Sequence, residues 1–365
     1  VLHSIRKLRT RGRIALATGG VAVLAAGAAF GTISTTTASA KGGCIKMLLE
    51  FKLQGLPVFE ANLKGADQYA KTFNICKPTY GGPASASATG QVSDIQAAIA
   101  AHVKVIAMTS DDPQVPATAL QSAMKAGIKV VTFDSDVPSA RNFFIQDTAY
   151  NTIAAGVLKA AVKFAGSSST IGIMSSTPDA TIQLAWIGAM ESYAKTNYPQ
   201  LNGGNFGQII GYGQSVTATS LTAAESMIHS NPTIKAIIPI DGAAVVGTAE
   251  AVSDLSDSGK IGVFGIGDPA PNATYYANGS MQGLFLWNEI GQGALIDCVS
   301  ELAVENKIKA GTTFTCPGVN WKSLNAPGKW TVAKAASKTT GATKNTIIFS
   351  GPLEFTPSNY KQYNF

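Results

Sequence analysis

Acids, amides and an aromatic ring stand directly after short apolar runs at several points along the chain. Lys52 and Gln54 follow residues 45–51, Asp111 and Asp112 follow 103–108, and Asp134 and Asp136 follow 130–133. Asp241 follows 236–240, Asp268 follows 262–266, and Trp287 and Asn288 follow 284–286. Carboxylates and amides accept or donate several hydrogen bonds to hydroxyls, and an aromatic face packs on the C–H side of a sugar ring. That mixture suits a small neutral polyol better than an anion. The same residue types also have structural uses. An Asp at a strand end caps the following helix, the role expected of Asp111, Asp112 and Asp268. Trp186, on the apolar side of a helical repeat, is expected in the core, and His102 and His229 at helix ends or on the surface.

Other chemistry is missing. There is no G-x-x-x-x-G-K-[ST] loop, and Gly265-Ile266-Gly267 runs into Asp268-Pro269 with no third glycine to complete a dinucleotide fingerprint. Ser215 lies in Gly213-Gln214-Ser215-Val216-Thr217, which is not a G-x-S-x-G elbow. Only three histidines occur, one of them His3, so a His-rich zinc site lacks ligands and a Ser-His-Asp triad has few ways to form. Paired carboxylates could serve a glycosidase, with Asp134 or Asp136 acting alongside Asp241.

The elements that must hold these residues alternate between strand and helix. Strands are expected at 45–51, 73–80, 103–108 and 130–133, and helices at 57–72, 92–101 and 115–126. A second series starts near Tyr150. It has helices at 152–164, 180–198, 220–230 and 243–255 and strands at 170–174, 206–212, 236–240 and 262–266. In 180–198 the apolar residues Ile182, Trp186, Met190 and Tyr193 recur with a helical period. After Lys307 the pattern is less regular, with a last strand at 346–349. Two such runs imply an α/β fold of two doubly wound parallel sheets flanked by helices. In such sheets ligands bind beyond the carboxyl ends of the strands. With 45% hydrophobic and 14% charged residues in 365, disorder is excluded and two domains are accommodated.

The net charge of +6 comes largely from Arg6, Lys7, Arg9, Arg11 and Arg13. The rest of the chain is close to neutral, which argues against a protein that works by neutralising phosphates. Those basic residues precede an apolar stretch at 14–30 and Ala38-Ser39-Ala40, the pattern of a secretory signal peptide over 1–40. The alternative is a retained membrane anchor. Four cysteines remain, Cys44, Cys76, Cys298 and Cys316, with no C-x-x-C. An oxidising destination favours two disulfides. Of the three possible pairings the sequence-local one, Cys44–Cys76 with Cys298–Cys316, is expected, because neighbouring parallel strands would bring Cys44 and Cys76 together.

The run Pro57-Val58-Phe59-Glu60 through Lys64-Gly65-Ala66, with Phe133-Asp134-Ser135-Asp136, resembles the type 1 periplasmic sugar-binding proteins of ABC importers. Thr132 to Asp136 with Ala140-Arg141, residues 285–293 and the ending Lys361-Gln362-Tyr363-Asn364-Phe365 look most like the rhamnose-binding and autoinducer-2-binding branch. The resemblance implies two lobes joined by three crossovers that close on a ligand like a hinged trap. Lobe one would hold 41–147 and 287–345, and lobe two 148–286 and 346–365. It also implies ligand roles. The ligand-gripping lysine matches Lys52, and the second Asp of the Asp-Ser-Asp run matches Asp136. Gln183 keeps the amide of an Asp-Gln pair whose acid is replaced by Ile182. A Pro-Asp-Ala turn becomes Ile240-Asp241-Gly242, and Phe59 falls where pentose binders stack a ring. The loss of an acid at Ile182 moves the expectation from autoinducer-2 to an ordinary sugar or polyol.

The expected ligand residues are therefore Lys52, Gln54, Phe59, Asp134, Asp136, Gln183, Asp241, Trp287 and Asn288. The expected role is an exported, monomeric solute-binding protein of the periplasm or outer cell-envelope face. It would pass a small sugar or polyol to the membrane permease of an ABC importer, with no catalytic step, cofactor, metal or nucleic acid. Removing the Asp136 or Asp241 side chain is expected to weaken binding and spare folding. A secreted carbohydrate-active enzyme and an autoinducer-2-like signal receptor are the alternatives. A DNA-binding repressor with the same core is opposed by the export signal and by the lack of a helix-turn-helix segment before Cys44.

Overall fold

The computed structural model describes residues 43–363 except Ala86, so the expected export signal at 1–40 lies outside the described residues. The first strand–helix series comprises β1 (Met47–Glu50), α1 (Pro57–Tyr69), β2 (Thr79–Gly81), α2 (Ala88–Ala100), β3 (Val105–Met108), α3 (Ala117–Lys125), β4 (Lys129–Phe133) and β5 (Phe143–Gln146). The second comprises α4 (Tyr150–Ala165), β6 (Thr170–Ser175), α5 (Thr181–Asn197), β7 (Ile210–Tyr212), α6 (Thr217–Ser230), β8 (Ile234–Pro239), α7 (Gly242–Asp254), β9 (Gly262–Ile266), α8 (Ala273–Asn278) and β10 (Gly283–Leu286). Then follow α9 (Glu289–Val304), a hairpin of β11 (Thr313–Thr315) and β12 (Lys329–Thr331), β13 (Thr346–Ile348) and β14 (Leu353–Phe355).

Two six-stranded sheets result, ordered β13-β5-β4-β3-β1-β2 and β14-β10-β9-β8-β6-β7. Every pairing within them is parallel except β10 with β14. The central strands read as unbroken apolar runs, such as Val-Ile-Ala-Met in β3, because helices cover both faces of a parallel sheet. Helix starts follow local chemistry. Pro57 opens α1, where its missing N–H is no loss, and Ser87 caps α2 by accepting from the Gly90 amide.

The chain passes from the first sheet to the second at 147–149, returns at 287–288, and passes over again at 349–352. This corrects the expected division at 345/346. Thr346–Ile348 pairs with Phe143–Gln146 of the first sheet, Ile347 opposite Ile145, so the chain changes sheet only after β13. The strand expected at 73–80 is also revised. Residues Ala70–Phe73 form a 3-10 turn and Asn74 is left-handed at φ 53°, leaving a strand only at Thr79–Gly81.

Both expected disulfides are present, Cys44–Cys76 with Cα atoms 5.0 Å apart and Cys298–Cys316 at 6.0 Å. Among the described residues no helix is long and apolar enough to cross a membrane.

Helices α1 and α9 lie against each other through two glycines. A Cβ on Gly65 would run into the Ile290 carbonyl, and one on Gly293 into the Asn62 carbonyl. Such backbone approach is open only to glycine. It brings Asn62 and Gln292 within hydrogen-bond reach, 3.2 Å.

Candidate functional site

The carboxyl ends of strands from both sheets border one cavity of about 610 Å³. On the first lobe its wall includes Lys52 after β1, Asp111 after β3 and Asp134 after β4. On the second it includes Gln183, Asp241 after β8 and Asp268 after β9, while Trp287 stands in the crossover between them.

Lys52 Nζ lies 2.6 Å from Asp134 Oδ2, which also accepts from Thr109 Oγ1 at 2.6 Å. Asp134 is left-handed, φ 55°, a conformation Asp tolerates better than most residues. Phe59 stacks on Phe51, ring centroids 5.1 Å apart, so the cavity meets a packed aromatic surface and not a lone ring.

Across the cavity, Gln183 Oε1 accepts from Ser175 Oγ, Ser176 N and Ser176 Oγ at 2.5–2.8 Å. Three donors on one oxygen fix the amide's orientation and leave its nitrogen to donate elsewhere. Asp241 is both cap and wall. Its Oδ1 accepts from the Ala243 and Ala244 amides at 3.1 Å, and its Oδ2 from Ser215 Oγ at 2.9 Å. Each oxygen has two lone pairs, so Oδ2 retains capacity for one more donor. Ile182, standing where the resemblance has an acid, lines the same wall. The Trp186 and Trp287 rings sit 6.3 Å apart at 48° and both line the cavity.

The electrostatics are one-sided. Asp111, Asp112, Asp134, Asp179, Asp241 and Asp268 line the cavity, and among the described lining residues Lys52 is the only cation. Burial pushes the Asp268 carboxyl up to about 7. Burial also raises Asp111, against the opposing pull of Lys52 and of the Ser87 amide. Behind the wall, Asp147 and Glu289 are fully buried and held well above the ordinary carboxylate range, chiefly by desolvation. Among the described residues no cluster of His, Cys, Asp and Glu is arranged to hold a metal ion.

The structure brings Lys52, Phe59, Asp134, Gln183, Asp241 and Trp287 to the cavity, and corrects three expectations. The Gln54 amide braces the adjacent loop by donating to the Gly82 carbonyl at 2.5 Å. Asp136 turns away to Arg141, its Oδ1 2.6 Å from the guanidinium Nε. Asn288 caps α9, accepting from the Gly291 amide at 2.9 Å. None of the three lines the cavity. Conversely, Asp111, Asp112 and Asp268, read as caps or turns, do line it. Trp186 is in the core as expected, 4% exposed, and also borders the cavity. Asp112 fills both roles, its Oδ1 accepting from the Gln114 and Val115 amides. The position of all three acids after strands was the available signal.

Comparison with known proteins agrees with this fold. The family described as periplasmic binding protein domain matches residues 51–296. An ABC transporter solute-binding protein from Clostridium phytofermentas, solved with bound L-rhamnose, is 28% identical with a TM-score of 0.79, covering 88% of this chain and 98% of that one. LsrB from Clostridium saccharobutylicum, solved with AI-2, is 24% identical at a TM-score of 0.78, over 88% and 100% of the two chains, a likeness of fold. A sugar ABC transporter protein from Actinomyces odontolyticus is 25% identical at 0.69, over 89% and 100%.

Proposed function

Because the chain belongs to the periplasmic binding protein domain family, we propose that it captures a small neutral sugar or polyol between its lobes and hands it to the permease of an ABC importer. The observation that carries this reading is the cavity itself. Hydrogen-bonding groups converge on it from both lobes, and two tryptophans stand at its side. A ligand held by Asp134 and Lys52 on one side and by Asp241 and Gln183 on the other would bridge the lobes. Its contacts would strengthen as water leaves. The excess of carboxylates over cations disfavours an anionic ligand such as a uronate or sugar phosphate. The L-rhamnose in the 28% identical relative supports a sugar of that size.

The role needs no catalytic step. Of the two carboxylate pairs an enzyme reading could use, Asp136 with Asp241 is not assembled, since Asp136 is held by Arg141 outside the cavity, while Asp134, which lines the cavity with Asp241, is already paired with Lys52. Export, through the segment at 1–40, and action as a monomer complete the proposal; the two disulfides support an oxidising location.

The test is a thermal-shift screen over L-rhamnose, D-fucose, D-arabinose and simple polyols, followed by calorimetry and product analysis of any hit. A ligand bound only to the folded state raises the melting temperature. A micromolar hit, about −8 kcal/mol, recovered unchanged at one per chain supports the reading. Turnover of the hit, or tight binding confined to phosphorylated or acidic sugars, overturns it.

A further inference from the structure

Trp287 lines the cavity, and its indole N–H donates to the buried Gln292 Oε1 at 3.1 Å. That oxygen also accepts from Asn62 Nδ2 of α1 at 3.2 Å. The other end of the Gln292 amide donates to Asp147 Oδ1. Asp147 lies in the first crossover and Trp287 in the second, and the Asp147 carbonyl accepts from the Ser350 amide of the third at 3.1 Å. One glutamine near the start of α9 thus joins the side chains of two crossovers, and its aspartate partner joins them to the last. All of these side chains are at most 2% exposed, so water cannot replace a bond that is broken. Each one lost leaves a buried group unsatisfied.

We propose that Gln292 is a positioning residue that couples the Trp287 wall of the ligand cavity to the hinge, holding the three crossovers in one arrangement through Asp147. The proposal rests on the binding-protein reading for its purpose, but the clasp itself is testable without ligand. A hinge rotation that moved the crossovers relative to α9 would have to break or exchange these bonds. The angle between the lobes and the seat of the Trp287 ring are therefore one variable, and a ligand resting on Trp287 acts on both.

The experiment uses the full disulfide-bonded chain carrying Gln292→Leu, with Asp147→Asn and Asp147→Leu as a pair. The asparagine side chain keeps an oxygen that accepts from the Gln292 amide, whereas the leucine side chain has none. Hydrogen exchange of the indole N–H groups is followed by NMR in ligand-free protein, and lobe separation by small-angle X-ray scattering. The expected result is that Q292L and D147L lose exchange protection at Trp287 and gain radius of gyration. Trp321, whose indole N–H is held by the Cys316 carbonyl at 2.7 Å away from the crossovers, should stay protected. D147N should match the wild type. Should Q292L fail to fold, Trp287→Phe keeps an aromatic ring, though a smaller one, drops the N–H, and should reproduce the change in scattering. Unchanged exchange and scattering in Q292L and D147L overturn the proposal, as does D147N behaving like D147L. An L-rhamnose titration runs alongside. Failure of wild type to bind it counts against that ligand and not against the clasp. Weaker L-rhamnose binding in Q292L, restored in D147N, supports the coupling.

Discussion

Asp136 is clamped by Arg141: the guanidinium Nε lies 2.6 Å from Oδ1, and Thr132 Oγ1 donates to the same oxygen. The arginine is 4% exposed and spends its other nitrogens on the Lys344 carbonyl and on Thr343 Oγ1, just before β13. The acid therefore holds a cation that ties β13 to the first sheet. Asp136→Ala should leave that guanidinium buried without its counter-ion, at a cost of about 3–5 kcal/mol. Denaturant unfolding checks this. A stable D136A protein with weakened sugar binding would return Asp136 to the ligand site.

That reversal shows what the sequence carries and what it hides. The strands whose ends border the cavity were legible because buried parallel strands are short apolar runs, and Lys52, Asp134, Asp241 and Trp287 follow four of them. Asp134 and Asp136 are indistinguishable by that rule. The left-handed backbone at Asp134 and the long-range contacts of Arg141 with residues 343 and 344 separate them. Helix α9 escaped notice because it is buried on nearly every side, so it lacks the polar stripe that marks a surface helix. With it went the Asp147–Gln292 contact, which joins positions 145 residues apart.

Asp241 combines two jobs that substitution should separate. Asn at this position keeps one oxygen to accept from the Ala243 and Ala244 amides, but replaces the oxygen facing Ser215 with a donor. Asp241→Asn should melt within a degree or two of wild type, while Asp241→Ala should lose about 1 kcal/mol of stability with the cap. Both should weaken binding of whichever sugar the screen identifies by about 2–4 kcal/mol, roughly 30- to 1000-fold in Kd. Calorimetry beside unfolding curves reads both effects. Wild-type affinity in D241N would confine Asp241 to capping.

Two buried acids set a dependence of stability on pH. Glu50, wholly buried, is pushed up to about 9 by desolvation and then by the neighbouring Asp94 carboxylate. Asp268 is pushed up to about 7 by desolvation. A raised acid favours the folded state in its protonated form. Its contribution is complete below the unfolded-state value near 4 and is lost as pH rises to the folded value. Stability should therefore fall from about pH 4 to pH 7 through both groups, and from pH 7 to pH 9 through Glu50, with the raised Asp147 and Glu289 carboxyls adding to the fall in the same sense. Glu50→Gln should flatten the upper window and Asp268→Asn part of the lower one. Melting curves at half-unit intervals test this, and an E50Q profile parallel to wild type between pH 7 and 9 would contradict it.

The glycines between α1 and α9 make the last prediction. A Cβ at Gly293 would meet the Asn62 carbonyl and the Ala66 amide, which are backbone atoms and cannot swing aside as a side-chain tip can. Gly293→Ala must push α1 away from α9, at a cost of about 1–3 kcal/mol. It should also lengthen the 3.2 Å bond from Asn62 to Gln292. Gly188, on the exposed side of α5, has no neighbour within 4 Å of a Cβ built there. There alanine should stabilise by about 0.5–1 kcal/mol, because glycine loses more backbone freedom on folding. Urea unfolding of the two variants side by side therefore shifts the midpoint in opposite directions. A G293A midpoint at or above that of G188A would mean the helices are not in backbone contact.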